Sequence, residues 1–393
     1  MADREFDLIL FGATGFTGGL TAEYLARNAP ERCRWALAGR SMSKLEAVRD
    51  RLSEIDPELK VLPLLTADAD DRASLAAVAS SSRVVISTVG PYLQYGEPLV
   101  AACAEAGTDY VDLTGEPEFV DQMYVRHHQR ATETGARIVH ACGFDSIPHD
   151  LGARFTVLQL PEDVPLRVRG VVRASGMFSG GTFHSAMAAM SRGRQMKHAS
   201  AQRRSVEPRP EGRKARSVAR SPHRDKETGY WLVPLPTIDP VVVKRSGAAL
   251  PRYGPDFEYS HYAGVKRLPV VAGGVVGVAA LALAAQVPPL RKALLGRVKQ
   301  GEGPDPTKRA RSWFTVRFVG EGGGQRVVTE VSGGDPGYGE TAKMLAESAL
   351  CLAFDDNPDT SGQVTTAVSM GENLTRRLVA AGLRFRVIGS GII

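Results

Sequence analysis

The chain has 393 residues, of which 43% are apolar and 23% charged, which excludes wholesale disorder and, at roughly 100–200 residues per domain, suggests two domains. Glycine is frequent, at 41 residues, and aromatics are few, at 7%, a balance that suits an α/β enzyme with tight turns better than an all-β protein. Cys33, Cys103, Cys142 and Cys351 show no CxxC spacing, so neither a disulfide framework nor a zinc ribbon is expected. The opening MADREFD carries no basic and apolar secretory signal, and a cytoplasmic location is expected.

In chain order, apolar strand runs at 7–11, 35–38, 61–65, 84–88, 110–113 and 137–140 alternate with amphipathic stretches at 17–28, 43–53, 74–79, 98–106 and 119–134. Repeated βα units predict a Rossmann-type parallel sheet, and residues 1–150 are read as a dinucleotide-binding domain. Beyond Pro148 the rhythm changes. Residues 166–172 alternate polar and apolar, 181–190 reads as a small-residue helix, 313–319 and 326–331 read as a hairpin around 320–324, and 339–354 is a strong helix. Residues 151–393 are therefore read as an α+β substrate domain.

Two segments of that second part stand out. The formal net charge is +6, yet residues 192–226 hold twelve Lys and Arg against three acids, which makes this segment +9 and the remainder −3. With Pro208, Pro210 and Pro222 and few apolar residues, it reads as a flexible solvated loop. Its sharper reading is an anionic partner, either lipid headgroups or a phosphate-bearing carrier. No aromatics interleave the arginines, so nucleic acid is not expected. Residues 268–285, LPVVAGGVVGVAALALAA, run for eighteen positions without a charge. A span needs about 20 apolar residues, so the length is marginal, and Pro269, Gly273, Gly274 and Gly277 weaken it further. A buried helix and a peripheral contact with the inner face of the plasma membrane both remain open.

Gly12-Ala13-Thr14-Gly15-Phe16-Thr17-Gly18 follows the first strand and opens the first helix, the context of a dinucleotide fingerprint. Gly12 permits the turn, Gly15 lets backbone approach a pyrophosphate, and Gly18 lets helix pack on strand. The N–H groups from Gly15 to Thr17 would hold the phosphates. An NAD enzyme carries an acid after the second strand. Here Arg40 follows Ala38-Gly39, with Lys44 one turn on and no acid before Glu46, so NADP(H) is the expected cofactor. Asp68 is placed near the adenine edge. Thr88, Gly90 and Pro91 leave the fourth strand where the cofactor crosses toward its nicotinamide.

These residues, GATGFTG with AGR, then TVGPYLQYGEPLVAACAEAGTDYVDLTGE and CGFDSIPHDLG, resemble the saccharopine dehydrogenase-like oxidoreductases. SGGTFHS, GPDPTKRARSWF and GDPGYGETAKMLAESALCLA resemble the trans-acting enoyl reductase branch. The resemblance implies NADPH-dependent reduction of a carbon–carbon double bond in polyketide- or lipid-derived intermediates. It implies an acyl substrate, carried or free, and leaves a homodimer open. Position 149 departs from the family block, which usually reads GFDSIPSD. No anion-binding set for an amino-dicarboxylate substrate can be assigned.

Enoyl reduction needs a hydride, a proton and a group to hold the developing enolate oxygen. Tyr92 is the first choice of donor and Tyr95 the second, both following the fourth strand. Cys142, Asp145 and His149 leave the sixth strand at the same sheet edge and are placed near the substrate. Cys142 reads as a packed thiol, Asp145 as a loop or cap residue, and His149 as a solvent-facing histidine able to shuttle protons. Thr182, His184 and Tyr338 are further substrate-side candidates. His127-His128 reads as surface, and no metal site is assigned. The alternatives are an opine- or saccharopine-type C–N dehydrogenase, with arginines converging on the nicotinamide, and a non-catalytic membrane- or carrier-binding protein with a nucleotide-sensing domain.

Overall fold

Every residue of Phe6–Phe11 (β1) is buried, as a continuous apolar run requires of a central parallel strand covered on both faces. In the computed structural model, which describes residues 4–175, 187, 190–297 and 305–392, β1 lies between Trp35–Gly39 (β2) and Ser82–Ser87 (β4). Leu64–Thr66 (β3) flanks β2, and Asp109–Asp112 (β5) and Arg137–Val139 (β6) follow β4, all parallel. The helices between them are Phe16–Asn28 (α1), Met42–Ser53 (α2), Arg72–Ser81 (α3), Tyr92–Tyr95 (α4), Glu97–Ala106 (α5) and Pro117–Thr134 (α6). The expected alternation holds, with one shift. β3 starts three residues later than its apolar run suggests, because residues 57–61 form a 3-10 turn whose start is capped by Asp56 accepting the Glu58 N–H at 3.0 Å.

Ile147–Val157 (α7) leads into the second sheet. Its elements are Leu166–Ala174 (β7), Gly193–Val206 (α8), Lys214–Ser217 (β8), His223–Arg224 (β9), Trp231–Pro234 (β10), Asp239–Ala249 (α9), Asp256–Val265 (β11), Leu268–Gln286 (α10), Pro288–Arg297 (α11), Pro306–Ala310 (α12), Phe314–Gly322 (β12), Gln325–Gly333 (β13), Gly339–Phe354 (α13), Gly362–Val364 (β14), Thr366–Ser369 (α14), Gly371–Ala380 (α15) and Arg384–Ile392 (β15). The order is β15-β13-β12-β7-β11-β10-β9, with β8 beside the first half of β11. The β12–β13 hairpin closes on Gly323 (φ 57°) and Gly324 (φ 74°), a two-residue turn that needs two left-handed residues.

Three expectations change. First, residues 192–226 are not a loop. α8 packs on α6, β8 pairs with β11, and β9 pairs with β10. Part of their charge is taken up within the fold. Arg192 pairs with Glu118, Arg203 with Asp121 and Glu207, and Arg216 with Asp256 and Glu258, while Arg213 donates to the carbonyls of Gly247 and Leu250. Second, the chain does not divide cleanly at residue 150. β14 adds a seventh parallel strand beside β6, and α13 lies against α1, β1, β4 and β5. Third, α10 is not a buried helix, since Leu268, Val270 and Leu283 are 51%, 59% and 72% exposed. Among the described residues no helix is long and apolar enough to cross a membrane. The small-residue helix expected at 181–190 lies outside the described residues except for Met187 and Met190, both helical.

α7 joins the two sheets. One apolar core runs from Leu8 and Ile86 of the first sheet through Ile147 and Leu151 of α7 to Val316 and Phe318 of the second. The fully buried Asp150 carboxylate accepts hydrogen bonds from Ser246 Oγ at 2.5 Å, Thr366 Oγ1 at 2.7 Å and the Ala367 N–H at 2.8 Å. It thereby ties α7 to α9 and α14. Gly152 lets α7 approach β12, since a Cβ there would stand 2.4 Å from the Phe318 ring. Gly152→Val is expected to destabilise the protein by roughly 1–3 kcal/mol through overpacking, read as a lower midpoint in urea unfolding.

Candidate cofactor and substrate site

The turn between β1 and α1 is built on contacts that exclude side chains. Gly12 sits at φ 96°, and a Cβ there would stand 2.6 Å from Thr88 Oγ1. A Cβ on Gly18 would stand 2.2 Å from the Gly12 carbonyl oxygen. Thr88 Oγ1 closes the arrangement by donating to the Gly12 carbonyl at 3.1 Å. Gly15 is different, because only the Gly12 oxygen, at 3.5 Å, lies near its Cβ direction. That open space is where a phosphate can approach backbone. The Gly15 N–H is spent on the Gly12 carbonyl at 3.0 Å, so the anion site shifts by one residue to the first-turn N–H groups of Phe16, Thr17 and Gly18. α1 has no side-chain cap and no acid in its first turn. Exposed Thr14 stands at its rim.

At the end of β2, Arg40 and Lys44 are exposed, and α2 likewise begins without a side-chain cap or a first-turn acid. Two cations and a bare helix start fit a ribose 2′-phosphate. The residues present therefore fit NADP(H). Asp68 uses one carboxylate oxygen to accept the Asp70 N–H at 3.1 Å, in the turn that opens α3. Exposed Gly90 and half-buried Pro91 lead into α4.

The two tyrosines of α4 differ. Tyr92 is buried, its hydroxyl donates to the Ser87 carbonyl at 3.0 Å and accepts the Leu113 N–H at 3.2 Å, and burial and the nearby Asp112 carboxylate push its pKa well above the usual value. Tyr92 thus braces β4 against the end of β5, with no proton turned outward. Tyr95 is half-buried, and its hydroxyl accepts from Gln94 Nε2 at 2.8 Å, which leaves its own proton to give. The Glu116 carboxylate accepts the N–H groups of Tyr92 and Leu93 at 3.1 and 2.9 Å and so fixes the start of α4.

Past β6, Cys142 is fully buried and burial pushes its thiol well up, as expected of a packed thiol. His140 Nδ1 lies 2.7 Å from Asp112 Oδ2 and clamps the ends of β5 and β6. Asp145 keeps partial exposure, and burial and the Asp239 carboxylate push its carboxyl up to about 6 against the pull of His149.

His149 does not face solvent. It is 1% exposed, with Nδ1 at 2.8 Å from Asp239 Oδ1. Asp239 Oδ2 also lies 3.5 Å from His261 Nε2, and His261 Nδ1 lies 3.1 Å from the Tyr259 hydroxyl. The ligand atoms of His149, Asp239 and His261 all lie within 4.8 Å of one another, a proximity that also suits a metal ion. The cluster joins α7 to α9 and β11. Its α9 and β11 members carry no local sequence signal, because each is an isolated polar residue in an otherwise ordinary helix or strand. Burial pushes the His261 imidazole down to about 4 despite the Asp239 carboxylate.

Tyr338 lies on the cofactor side. Its ring meets Phe16 edge-on at 4.9 Å, and the Arg309 guanidinium stands 5.6 Å from the other contact of that stack, the Phe16 ring. Thr182 and His184 lie outside the described residues. His128 stacks on Tyr124 at 4.1 Å and accepts the Gln363 N–H at 3.0 Å, while His127 Nε2 lies 3.4 Å from Glu97.

Two outcomes follow from this geometry. Arg40→Ala is expected to weaken NADPH by about 10- to 100-fold through loss of charge-assisted bonds and to leave NADH nearly unchanged, as read by nicotinamide fluorescence titration. His261 takes up its proton in the unfolded chain near pH 6.5 but in the folded chain only near 4. Between those values the unfolded state binds more protons, so stability falls as pH falls, by up to roughly 3 kcal/mol. His261→Gln should flatten the dependence of the unfolding midpoint on pH across that window.

Residues 8–139 match the family model described as the saccharopine dehydrogenase NADP binding domain. The whole chain is similar to a Mycobacterium tuberculosis protein named as a candidate trans-acting enoyl reductase, at 41% identity over 97% of both chains. It is also similar to the Mycobacterium ulcerans trans-acting enoyl reductase, at 36% identity over 97% of both chains. Among solved structures, apo saccharopine dehydrogenase (L-Glu forming) from Saccharomyces cerevisiae aligns with a TM-score of 0.56 at 12% identity, covering 98% of this chain and 100% of that one, which shows the same fold. The expected fold class, cofactor and resemblance are borne out: the chain is an NADP-dependent oxidoreductase and belongs to the saccharopine dehydrogenase-like group, in the branch of the trans-acting enoyl reductases.

Proposed function

We propose that the protein reduces the carbon–carbon double bond of an enoyl intermediate of lipid or polyketide origin, held between its two sheets. The observation that carries this reading is likeness along the full chain to relatives named trans-acting enoyl reductases, joined to a phosphate turn and Arg40 that fit NADPH. NADPH supplies the hydride when bound. The first-turn N–H groups of α1 hold the pyrophosphate, and Arg40 and Lys44 hold the 2′-phosphate. Thr88, Gly90 and Pro91 line the path from there to the edge of β4. Tyr95 is the residue we assign to the acyl carbonyl, where its O–H would stabilise the developing enolate oxygen and return a proton. Tyr92 is then a positioning residue, through its hold on Ser87 and Leu113. Asp145 and His149 would shape the substrate side of the same edge.

The C–N dehydrogenase reading called for arginines at this edge to bind substrate carboxylates. The described groups there are mainly acids, Asp112, Glu116, Asp145 and Asp239, with His140 and His149, and Arg192 near Glu116 is already paired with Glu118; acids repel an amino-dicarboxylate. An acyl thioester needs no such arginines. The finer partners belong to the same proposal. An enzyme acting apart from the synthase would meet its acyl chain on a carrier protein. The outer edge of β15, with Val387, Ile388 and Ile392 exposed, suits pairing with a second copy. A cytoplasmic enzyme at the inner membrane face would meet lipid-derived substrates there.

The test is loss of NADPH absorbance on adding enoyl thioesters of increasing chain length, on coenzyme A and on a carrier protein. Turnover is expected, and Tyr95→Phe is expected to lower kcat by about 10²–10⁴-fold with NADPH affinity unchanged. Tight NADPH binding without turnover of any enoyl thioester would overturn the reading.

A further inference from the structure

A helix that is apolar on every side belongs in a protein core or in lipid. α10 is apolar on every side in sequence, and although Val271 and Ala285 are buried, much of its described surface is not. Its sequence, LPVVAGGVVGVAALALAAQ, holds one polar side chain, Gln286, at its end. Leu268, Val270 and Leu283 are more than half exposed, and Gly273, Gly274, Gly277 and Ala280 are exposed between them. The exposed apolar surface continues into α11 through Val287 and Leu290. α10 touches the body of the protein at β10 and β11, and Gln286 Nε2 donates to the Met190 carbonyl at 2.6 Å.

The charges around this surface have one sign. From residue 259 to residue 301 the sequence contains no Asp or Glu. Lys266 and Arg267 precede α10, Arg291 and Lys292 follow it, and among the described residues none of the four has an ion-pair partner. In residues 192–226, by contrast, Arg192, Arg203 and Arg216 have acidic partners. At about 1.5 Å per residue α10 is roughly 28 Å long, so the two pairs of cations bracket an apolar rod. Its exposed surface is made of small and branched aliphatic side chains, without the Trp, Tyr or Arg anchors that protein interfaces rely on. Soluble monomers rarely leave a contiguous apolar patch of this kind uncovered.

We propose that α10 and the start of α11 form a membrane-docking surface. α10 lies flat in the interface of an anionic bilayer, and Lys266, Arg267, Arg291 and Lys292 reach its headgroups. The proposal concerns where the protein sits and does not rest on the enoyl reductase reading. The cations should each raise partition onto an anionic surface by roughly fivefold.

The test is co-sedimentation of the full-length protein with vesicles of 30% phosphatidylglycerol in phosphatidylcholine, and with phosphatidylcholine alone. The wild type is expected to pellet with the anionic vesicles, far less with the neutral ones, and less as salt is raised. The double variant Val270→Asp, Leu283→Asp and the quadruple variant Lys266→Glu, Arg267→Glu, Arg291→Glu, Lys292→Glu should each bind anionic vesicles at least about tenfold more weakly. NADPH titration of each variant confirms that its fold is intact, because the dinucleotide turn lies in the other sheet. Failure of the wild type to pellet, or equal pelleting by wild type and both variants, would overturn the proposal. So would a wild type that ignores vesicles and sediments as a dimer which the double variant converts to monomer, since α10 would then be covered by a second copy.

Discussion

The carboxylate of Asp150 is the point on which the two halves of the molecule depend. It is fully buried and is satisfied by two hydroxyls and one backbone N–H, with the Arg154 charge one turn on. A buried carboxylate held this way is costly to leave unpaired, so Ser246, Thr366 and Ala367 together hold α7 in place. Once α7 settles, Gly152 brings Phe318 against it, and the second sheet takes its angle to the first. The edge where β4, β5 and β6 end then faces the elements that bear Asp239 and His261. The proposed site for cofactor and substrate lies along the edge that this docking sets.

The two sides of this proposed site are made by different physics. On the cofactor side, function is written in absences of side chain: a left-handed Gly12, a Gly18 that lets a carbonyl touch a helix, and a Gly15 with open space before it. On the proposed substrate side, the ionisable groups are buried, and their neighbours decide what they can do. Tyr92 and Tyr95 lie one helical turn apart, yet one hydroxyl is locked into strand ends and the other only accepts from Gln94. The Asp145 carboxyl is raised and the His261 imidazole lowered by burial in the same small volume.

This contrast explains what the sequence could show. GATGFTG and the arginine of AGR, Arg40, were legible because a phosphate turn is local, within seven residues, and its requirements are steric. The helix at 339–354 and the two-glycine hairpin were legible because period and turn chemistry are also local. Residues 192–226 misled because charge density says nothing about partners, and Glu118, Asp121, Asp256 and Glu258 lie on elements far away in sequence. β14 has three residues and no pattern of its own, so its pairing with β6 could not be read. His149 looked like a surface histidine for the same reason: Asp239, 90 positions on, supplies its partner. Where function needs groups from separate elements, the sequence names the candidates, and only the fold says which of them meet.

The threading of α13 and β14 bears on the life of the chain during synthesis. The dinucleotide turn and the first six strands emerge from the ribosome early, but β6 keeps an open edge and the faces of β1, β4 and β5 stay uncovered until nearly the last 60 residues are made. Until then the nascent nucleotide domain is an incomplete sheet with one face and one edge uncovered, the kind of surface that can pair with neighbours. The ability to hold a cofactor therefore arrives late, with the return of the C-terminal segment, and a chain stopped short of that segment would be a target for proteolysis rather than a half-sized binding protein.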